Sequence, residues 1–226
     1  MRQTVLVLAL AACVFGQFPY QVSLQWVMFG IASHTCGGSI VSASVVVTAG
    51  HCLDPKAFGY YEVVAGINSL TNDSAFEQRM QVAQQIRHPS YQEDFNVAIN
   101  DVAIFQLKTS LSLGGNLDRR RRCLAGAAPA PESAFFHILQ WVDVTFISNT
   151  ECAQLMPDSP VNDNNVCAGS VDGSISACTG ASGYPLVQDG TLIGIVSWGI
   201  WNCATVGTPS VFTWVAAFTD FINQYI

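Results

Sequence analysis

The sequence predicts an all-β fold in a single domain, on three observations. Half of the 226 residues are hydrophobic and only 11% are charged, a composition that favours a compact, well-buried core over disorder. The apolar residues fall in many short runs rich in Val and Ile, with Gly and Pro between them, as is typical of strands joined by turns. The length also suits one β-barrel or β-sandwich domain, for which about 200–250 residues is normal.

The individual strands are predicted from alternation and from β-branched residues. Residues 21–26 alternate polar and apolar side chains, and Asp189-Gly190 between two apolar runs predicts a tight hairpin. Only the tail has helical spacing, with apolar residues three or four positions apart at Phe218, Phe221, Ile222 and Tyr225. The other predicted strands are 45–47, 63–64, 102–107, 142–147 and 192–196.

The first 16 residues are typical of an export signal. Met1-Arg2 supplies a positive charge, residues 5–14 are apolar, and Gly16 is a small residue at the expected cleavage site. The apolar run is shorter than the ~20 residues that a membrane helix needs, and no later stretch is long and apolar enough. We therefore expect 1–16 to be a signal peptide and 17–226 to be one secreted, extracellular domain without a membrane anchor. A buried N-terminal strand is the alternative.

The cysteines indicate disulfides. The chain has eight, and removal of Cys13 with the signal would leave an odd number, so one thiol would remain unpaired. Export to an oxidising compartment favours disulfide bonds. Metal binding is the alternative, but no two cysteines have C-x-x-C spacing and the chain has only four histidines.

The charge of the chain bears on its partners. The formal net charge of −7 argues against nucleic acid as a partner, because phosphate backbones attract basic surfaces. The basic run 119–122 is the exception. It is expected to be a solvated loop, with a processing site or an anion contact as the alternative.

Three short motifs place a His, an Asp and a Ser in that chain order. They are Thr-Ala-Gly-His-Cys around His51, Asn-Asp-Val-Ala-Ile around Asp101, and Cys-Thr-Gly-Ala-Ser-Gly-Tyr-Pro around Ser182. A serine hydroxyl is a weak nucleophile at neutral pH and needs a base, which in turn is oriented by a carboxylate. Each motif alone is a weak signal, because single buried His, Asp and Ser residues are common in structural roles. Their joint occurrence indicates nucleophilic catalysis.

Further segments extend the pattern over 17–226. They are Gln17-Phe-Pro-Tyr-Gln-Val-Ser-Leu, Cys36-Gly-Gly-Ser-Ile, His88-Pro-Ser-Tyr, Ile147-Ser-Asn-Thr-Glu-Cys, Val166-Cys-Ala-Gly and Val196-Ser-Trp-Gly. With the three motifs, they resemble the chymotrypsin-like serine protease family. The resemblance implies two six-stranded Greek-key barrels and a C-terminal helix. We expect the second barrel to be shortened, because 119–131 replaces the family's Gly-Trp-Gly strand.

The resemblance implies a role for each candidate site residue. Ser182 would be the nucleophile, His51 the base and then the acid, and Asp101 the group that orients His51. The backbone N–H groups of Gly180 and Ser182 would form the oxyanion hole. Expected partners are protein or peptide substrates and protein protease inhibitors, and the protein is expected to be a monomer. No cofactor or metal is expected, since Ile67 stands where calcium-binding relatives carry Glu.

The resemblance also implies three disulfides. The expected pairs are Cys36–Cys52, Cys152–Cys167 and Cys178–Cys203, which leaves Cys123 unpaired.

The residues expected to contact substrate are Ser176, Ser197, Trp198, Gly199 and Ser210. Trypsin-like members carry Asp where Ser176 stands, so a Lys or Arg side chain would lack a charge partner here. Ser210 replaces a glycine and narrows the pocket floor. We expect a chymotrypsin-like or elastase-like preference for medium apolar side chains.

Four departures from the family pattern cluster around the expected site. Ala181 stands where the family has an Asp before the nucleophile, and no Ile-Val-Gly-Gly activation segment precedes Gln17. Tyr184 replaces a glycine two residues after Ser182. Ser182 also follows Asp101 by only 81 positions, roughly a dozen fewer than the family pattern implies.

The departures leave two functions open. In the family, activation by cleavage creates a new N-terminus, whose ammonium pairs with the Asp that is missing here and orders the oxyanion hole. Losing one oxyanion donor typically lowers turnover about 10²–10³-fold. The protein is either a secreted endopeptidase, which the triad favours, or a non-catalytic relative that acts by binding proteins, which the departures favour. The first would be weakly active unless another contact orders the Gly180 turn.

Overall fold

The computed structural model describes 18–53, 58–72, 74–94, 97–113, 123–125, 127–128, 138–174, 176–177, 180–199 and 205–226. Most of the strands lie in two antiparallel sheets, which confirms the all-β prediction. The expected signal peptide, the basic run 119–122 and the expected pair Cys178–Cys203 lie outside the described residues.

The first sheet is a closed barrel of six strands in the order β1, β2, β3, β8, β5, β4. Its strands are β1 (Gln21–Met28), β2 (Ile31–Ser42), β3 (Val45–Thr48), β4 (Tyr60–Ala65), β5 (Gln78–Arg87) and β8 (Ala103–Leu107). A small hairpin of β6 (Gln92–Asp94) and β7 (Val97–Ile99) lies between β5 and β8 in the chain. A 3₁₀ turn, Gly50–Cys52, follows β3.

The second sheet has seven strands in the order β11, β9, β15, β16, β17, β13, β12 and is open within the described residues. Its strands are β9 (Cys123–Ala125), β11 (Trp141–Val142), β12 (Thr145–Ile147), β13 (Asn165–Gly169), β15 (Pro185–Gln188), β16 (Thr191–Trp198) and β17 (Ser210–Trp214). A separate pair joins β10 (Ala127–Ala128) to β14 (Ser176–Ala177). This open sheet agrees with the expectation of a shortened second barrel.

The helices are few and short. Helix α1 (Asn149–Leu155) begins at Ser148, whose hydroxyl accepts a hydrogen bond from the backbone N–H of Glu151. The C-terminal segment forms a 3₁₀ turn, Val215–Phe218, followed by α2 (Thr219–Ile222), so the expected tail helix is present. No helix in the described parts of the chain is long and apolar enough to cross a membrane.

Buried apolar side chains fill the interior of the first barrel. Val22 and Leu24 of β1, Ile40 of β2, Val46 of β3 and Phe105 of β8 are almost completely buried. Such side chains each stabilise a fold by about 1.5–3 kcal/mol through removal of apolar surface from water. On β1, the alternate residues Ser23 and Gln25 are also buried, so both faces of this strand are covered.

The structure corrects two sequence expectations and confirms another. The predicted strand 142–147 is wrong as one unit, because β11 pairs with β9 while β12 pairs with β13. The segment 119–131, which we expected to lack a strand, supplies β9 and β10. The predicted hairpin at Asp189-Gly190 joins β15 to β16, and both residues have positive φ as such a turn requires.

Disulfide bonds join Cys36 to Cys52 and Cys152 to Cys167, the two implied pairs that fall within the described residues. The first links β2 to the 3₁₀ turn Gly50–Cys52. The second links α1 to β13.

We predict that the protein without residues 1–16 contains one free thiol. Cys178 is expected to pair with Cys203, which leaves Cys123 unpaired. Ellman titration of the unfolded, unreduced chain should therefore find one thiol per molecule, and Cys123→Ser should reduce this to zero. Three thiols would show that the third disulfide does not form.

Candidate active site

His51 lies on the 3₁₀ turn that follows β3, at the rim of the first barrel. The disulfide between Cys36 and Cys52 ties this turn to β2. The backbone N–H of His51 donates to Asp101 Oδ1 at 2.8 Å, so the same carboxylate holds both the backbone and the ring of this residue. The turn is therefore fixed by a covalent bond on one side and by a charge-assisted hydrogen bond on the other.

Asp101 is buried, with 2% of its surface exposed, and its carboxylate accepts hydrogen bonds from His51 and Ser197. Its Oδ2 lies 2.8 Å from His51 Nδ1 and accepts a hydrogen bond from the Ser197 hydroxyl at 2.5 Å. The hydroxyl of Thr213 donates to the backbone carbonyl of Asp101 at 2.7 Å. Ser197 and Thr213 come from β16 and β17, so strands of the second sheet hold the carboxylate beneath a histidine of the first barrel.

The pKa values of this pair move apart. Burial lowers the pKa of His51, but the hydrogen bond and negative charge of Asp101 outweigh burial, and the net pKa lies above the usual 6.5. Burial raises the pKa of Asp101, yet its bonds to His51 and Ser197 outweigh that effect and hold the pKa below its usual range. Because Nδ1–H of the neutral ring donates to the carboxylate, Nε2 is left as a proton acceptor.

A second set of side chains supports the His51 turn, and sequence reasoning missed it. Arg87, at the end of β5, donates from Nε to the carbonyl of Gly50 at 2.8 Å and from Nη2 to the carbonyl of Leu53. Its guanidinium lies 4.6 Å from the ring centre of Tyr91, whose hydroxyl donates to Glu93 Oε2 at 2.7 Å. Arg87 thus satisfies carbonyls on both sides of His51. No motif singles out Arg87 or Glu93 in the sequence.

The Ser182 turn is held against the first barrel by close backbone contact. The N–H of Gly37 in β2 donates to the carbonyl of Ser182 at 2.7 Å, and the N–H of Gly183 donates to Val196 at 2.9 Å. A β-carbon at Gly183 would lie 2.4 Å from Thr48 Oγ1 and 2.5 Å from the carbonyl oxygen of Gly37. Only glycine allows this approach, which brings Ser182 beside the strand that leads into His51.

Within the described residues, no hydrogen bond joins Ser182 Oγ to His51. Such bonds are often long in sites without substrate and tighten when substrate binds. The structure therefore joins His51 to Asp101 directly, and it joins the backbone of Ser182 to Gly37 of β2.

Ala181 and Tyr184, two of the unusual residues, both pack into apolar surroundings. Ala181 is 2% exposed and belongs to a cluster with Leu186, Val196 and Phe212. The cluster offers its methyl group no charged partner, so a carboxylate at this position would be desolvated.

The ring of Tyr184 occupies space above β2 that a side chain at Gly37 would fill. A β-carbon at Gly37 would lie 2.5 Å from Tyr184 Cδ2, and the tyrosine ring centre lies 6.0 Å from that of His34. Burial raises the pKa of Tyr184 to about 12, so the phenol is neutral at physiological pH.

The expected pocket residues are partly brought together. The Ser210 hydroxyl accepts a hydrogen bond from the backbone N–H of Ala177 at 2.8 Å and lies 3.4 Å from Ser176 Oγ. Both serines are buried. Trp198 is buried, whereas Gly199 is exposed and faces open space.

Among the described residues, one group near His51 has the spacing to hold a metal ion. Cys36, His51 and Cys52 lie close enough together to share an ion, but the two cysteines form a disulfide and offer no thiolate.

Comparison with known proteins agrees with this fold. The Trypsin family matches residues 10–222. Trypsin-1 of Astacus astacus is 32% identical over 229 residues, covering 93% of this chain and 95% of that protein. Kallikrein-7 of Homo sapiens is 34% identical over 227 residues, covering 95% and 85%. Lectizyme of Glossina austeni is 34% identical over 240 residues, covering 93% and 83%.

The family match spans both sheets and includes the His51, Asp101 and Ser182 motifs. The relatives are similar along nearly their whole length, so the likeness is not confined to one motif. The chain belongs to the trypsin family of chymotrypsin-like serine proteases.

Proposed function

We propose that this protein is a secreted serine endopeptidase that cleaves protein or peptide substrates. The observation that carries the proposal is the buried contact between His51 Nδ1 and Asp101 Oδ2 at 2.8 Å. That contact leaves Nε2 as a base directed away from the carboxylate, on a turn beside the Ser182 segment. Family membership supports hydrolysis of peptide bonds in general.

In the proposed mechanism, His51 Nε2 takes the proton of the Ser182 hydroxyl as the oxygen attacks the scissile carbonyl. Asp101 stabilises the imidazolium that forms, without taking the proton itself. The imidazolium then protonates the leaving amine, and the acyl group stays on Ser182. Water, deprotonated by His51, releases the acid and restores the serine.

The backbone N–H groups of Gly180 and Ser182 are proposed to bind the negative oxygen of each tetrahedral intermediate. Such donors act where charge develops and often provide the largest single contribution to catalysis. Their alignment depends on how the chain from Gly180 to Ser182 is held.

The substrate preference is proposed to be for medium apolar side chains. Ser176 and Ser210 place two neutral hydroxyls close together, with no carboxylate at position 176. A cationic side chain there would be desolvated without a partner of opposite charge. Ser197, Trp198 and Gly199, at the end of β16, are proposed to contact the extended substrate backbone.

A non-catalytic role in protein binding is the second candidate, and one observation favours it. Ala181 lacks the carboxylate that the family uses to order the oxyanion hole, and its apolar surroundings offer no substitute charge. Serine-specific labelling separates the two candidates, because a protein-binding relative need not have a reactive Ser182.

We predict that a fluorophosphonate probe labels the native protein at Ser182. Wild type should reach stoichiometric labelling, because His51 activates the hydroxyl. Ser182→Ala should abolish labelling, and the exposed Ser112→Ala should leave it unchanged, as measured by intact-mass spectrometry. Absence of labelling of the folded wild type would contradict the endopeptidase proposal and favour the protein-binding role.

We predict that kcat/KM rises with pH through a value above 6.5, since the raised pKa of His51 delays formation of the neutral base. Asp101 and Glu93 favour the charged ring, whereas Arg87 opposes it. Arg87→Gln should therefore move the acidic limb of the profile to higher pH, and Glu93→Gln should move it to lower pH. Asp101→Asn should reduce kcat about 10⁴-fold.

The control for this pH profile is Lys108→Gln, a change in an exposed lysine that bonds Gln81 and whose charge does not act on His51. Its acidic limb should coincide with that of wild type. Shifts of the same sign for Arg87→Gln and Glu93→Gln would contradict the electrostatic explanation.

We predict that Ser176→Asp creates affinity for cationic side chains. The new carboxylate would lie beside Ser210 in the pocket and supply the missing charge partner. The ratio of kcat/KM for Arg over Leu substrates should rise at least about tenfold, while stability falls because the carboxylate is buried. Benzamidine should raise the Tm of the variant but not that of wild type. Unchanged selectivity would place the pocket elsewhere.

A further inference from the structure

Two buried polar residues on the first barrel have no place in the mechanism above. Ser23 and Gln25 of β1 are only 3% and 5% exposed, although neither lies in the apolar interior. Buried polar groups are costly unless they are hydrogen-bonded, so their partners indicate what they do. Those partners form one continuous chain of hydrogen bonds.

The chain of hydrogen bonds runs from the outer surface of the barrel to the Ser182 segment. Arg79 Nη1 donates to Gln25 Oε1 at 2.9 Å, and Gln25 Nε2 donates to Ser23 Oγ at 3.2 Å. Ser23 Oγ lies 2.8 Å from His34 Nδ1, and His34 Nε2 lies 3.3 Å from the carbonyl oxygen of Gly180. We call these residues the Arg79–Gly180 chain.

The two ends of the Arg79–Gly180 chain determine the direction of every hydrogen bond within it. Arg79 can only donate and the Gly180 carbonyl can only accept, so His34 carries its proton on Nε2. Neutral His34 then accepts at Nδ1 from the Ser23 hydroxyl. The donors all point the same way, an arrangement in which each bond polarises and strengthens the next.

The surroundings of the Arg79–Gly180 chain favour this arrangement. Burial lowers the pKa of His34 and outweighs the bond to Gly180, which raises it, so the ring is neutral at pH 7. The Tyr184 ring, 6.0 Å from the ring centre of His34, covers one side. At the other end, Glu62 and Glu77 accept from Arg79 and hold its guanidinium in place.

We infer that the Arg79–Gly180 chain orders the oxyanion hole, and that His34 is its positioning residue in place of the carboxylate missing at Ala181. The inference rests on the proposed function. The peptide bond between Gly180 and Ala181 lies between the two proposed oxyanion donors, the N–H groups of Gly180 and Ser182. His34 holds the carbonyl of this peptide, and the buried methyl group of Ala181 holds its other side.

With both sides held, rotation of the Gly180–Ala181 peptide would break the bond to His34 or expose Ala181. The donors are then pre-arranged without an ion pair at position 181. Ala181→Asp would place a desolvated carboxylate in the apolar cluster with Leu186, Val196 and Phe212. The Gly180 turn would therefore be ordered without an ion pair at position 181.

The first test compares His34→Leu, which removes the ring nitrogens, with His34→Gln, whose amide N–H can still donate. His34→Leu should lower kcat on an apolar peptide substrate at least about tenfold with little change in KM, since losing one oxyanion donor outright costs about 10²–10³-fold. His34→Gln should retain most of kcat. Affinity for a peptide aldehyde, whose adduct oxygen occupies the oxyanion position, should fall in parallel with kcat.

The matched control is His88→Gln. His88 packs against Phe218 and Phe221 at the C-terminal segment and is not part of the Arg79–Gly180 chain. Its kcat and aldehyde affinity should equal those of wild type. If His34→Leu does not fold, Ser23→Ala and Gln25→Leu carry the test, because they leave the imidazole in place and should each lower kcat about two- to tenfold.

Nuclear magnetic resonance provides a readout that does not need turnover. The ¹⁵N shifts of His34 should report the Nε2–H form, and the amide signals of Gly180 and Ser182 should move in His34→Leu but not in His88→Gln. If these results hold and the wild type cleaves nothing, the proposed function fails while the ordering role stands. An Nδ1–H form of His34, unmoved amide signals, or unchanged kcat in an active His34→Leu variant would overturn the inference.

Discussion

The buried carboxylate of Asp101 is the group on which the arrangement of this site depends. It accepts hydrogen bonds from the backbone and the ring of His51 and from the Ser197 hydroxyl of β16, so both sheets converge on one negative charge. A carboxylate out of water is stable only with several donors, and removing one partner of a buried charge pair costs about 3–5 kcal/mol. The chemistry of the site and the docking of the two sheets therefore depend on the same contact.

Much of the fold and the central contact could be predicted from the sequence. The His51 and Asp101 motifs are short and local, and the strand alternation at β1 and the Asp189-Gly190 turn follow rules that act over a few residues. The split of 142–147 into two strands could not be predicted, because it depends on which distant strands offer free edges. Arg87 and the Arg79–Gly180 chain were missed for the same reason: their partners are remote in the sequence and leave no fixed spacing.

The unusual residues around Ser182 form a consistent set in the structure. Ala181 fits an apolar cluster where a carboxylate would be unpaired, and Tyr184 fits the space above Gly37. In the proposed arrangement, an apolar methyl group and the Arg79–Gly180 chain take the place of a buried ion pair, and the only charged member of that chain, Arg79, lies at the end remote from Ser182. The region around Ser182 would then be ordered by packing and hydrogen bonds rather than by a buried charge.

The close approach of Gly183 to Thr48 and Gly37 restricts the order in which this site could change during evolution. A side chain at 183 would overlap two atoms at once, one from the strand before His51 and one from β2. A shorter side chain at 48 would relieve the overlap with Thr48 but leave the overlap with the Gly37 carbonyl. A side chain at 183 therefore requires a shift of β2 even when residue 48 is smaller. Substitutions at residues in such contact are strongly non-additive. The segment around Ser182 and the strand before His51 must therefore change together, because the space between them is too small for a methyl group.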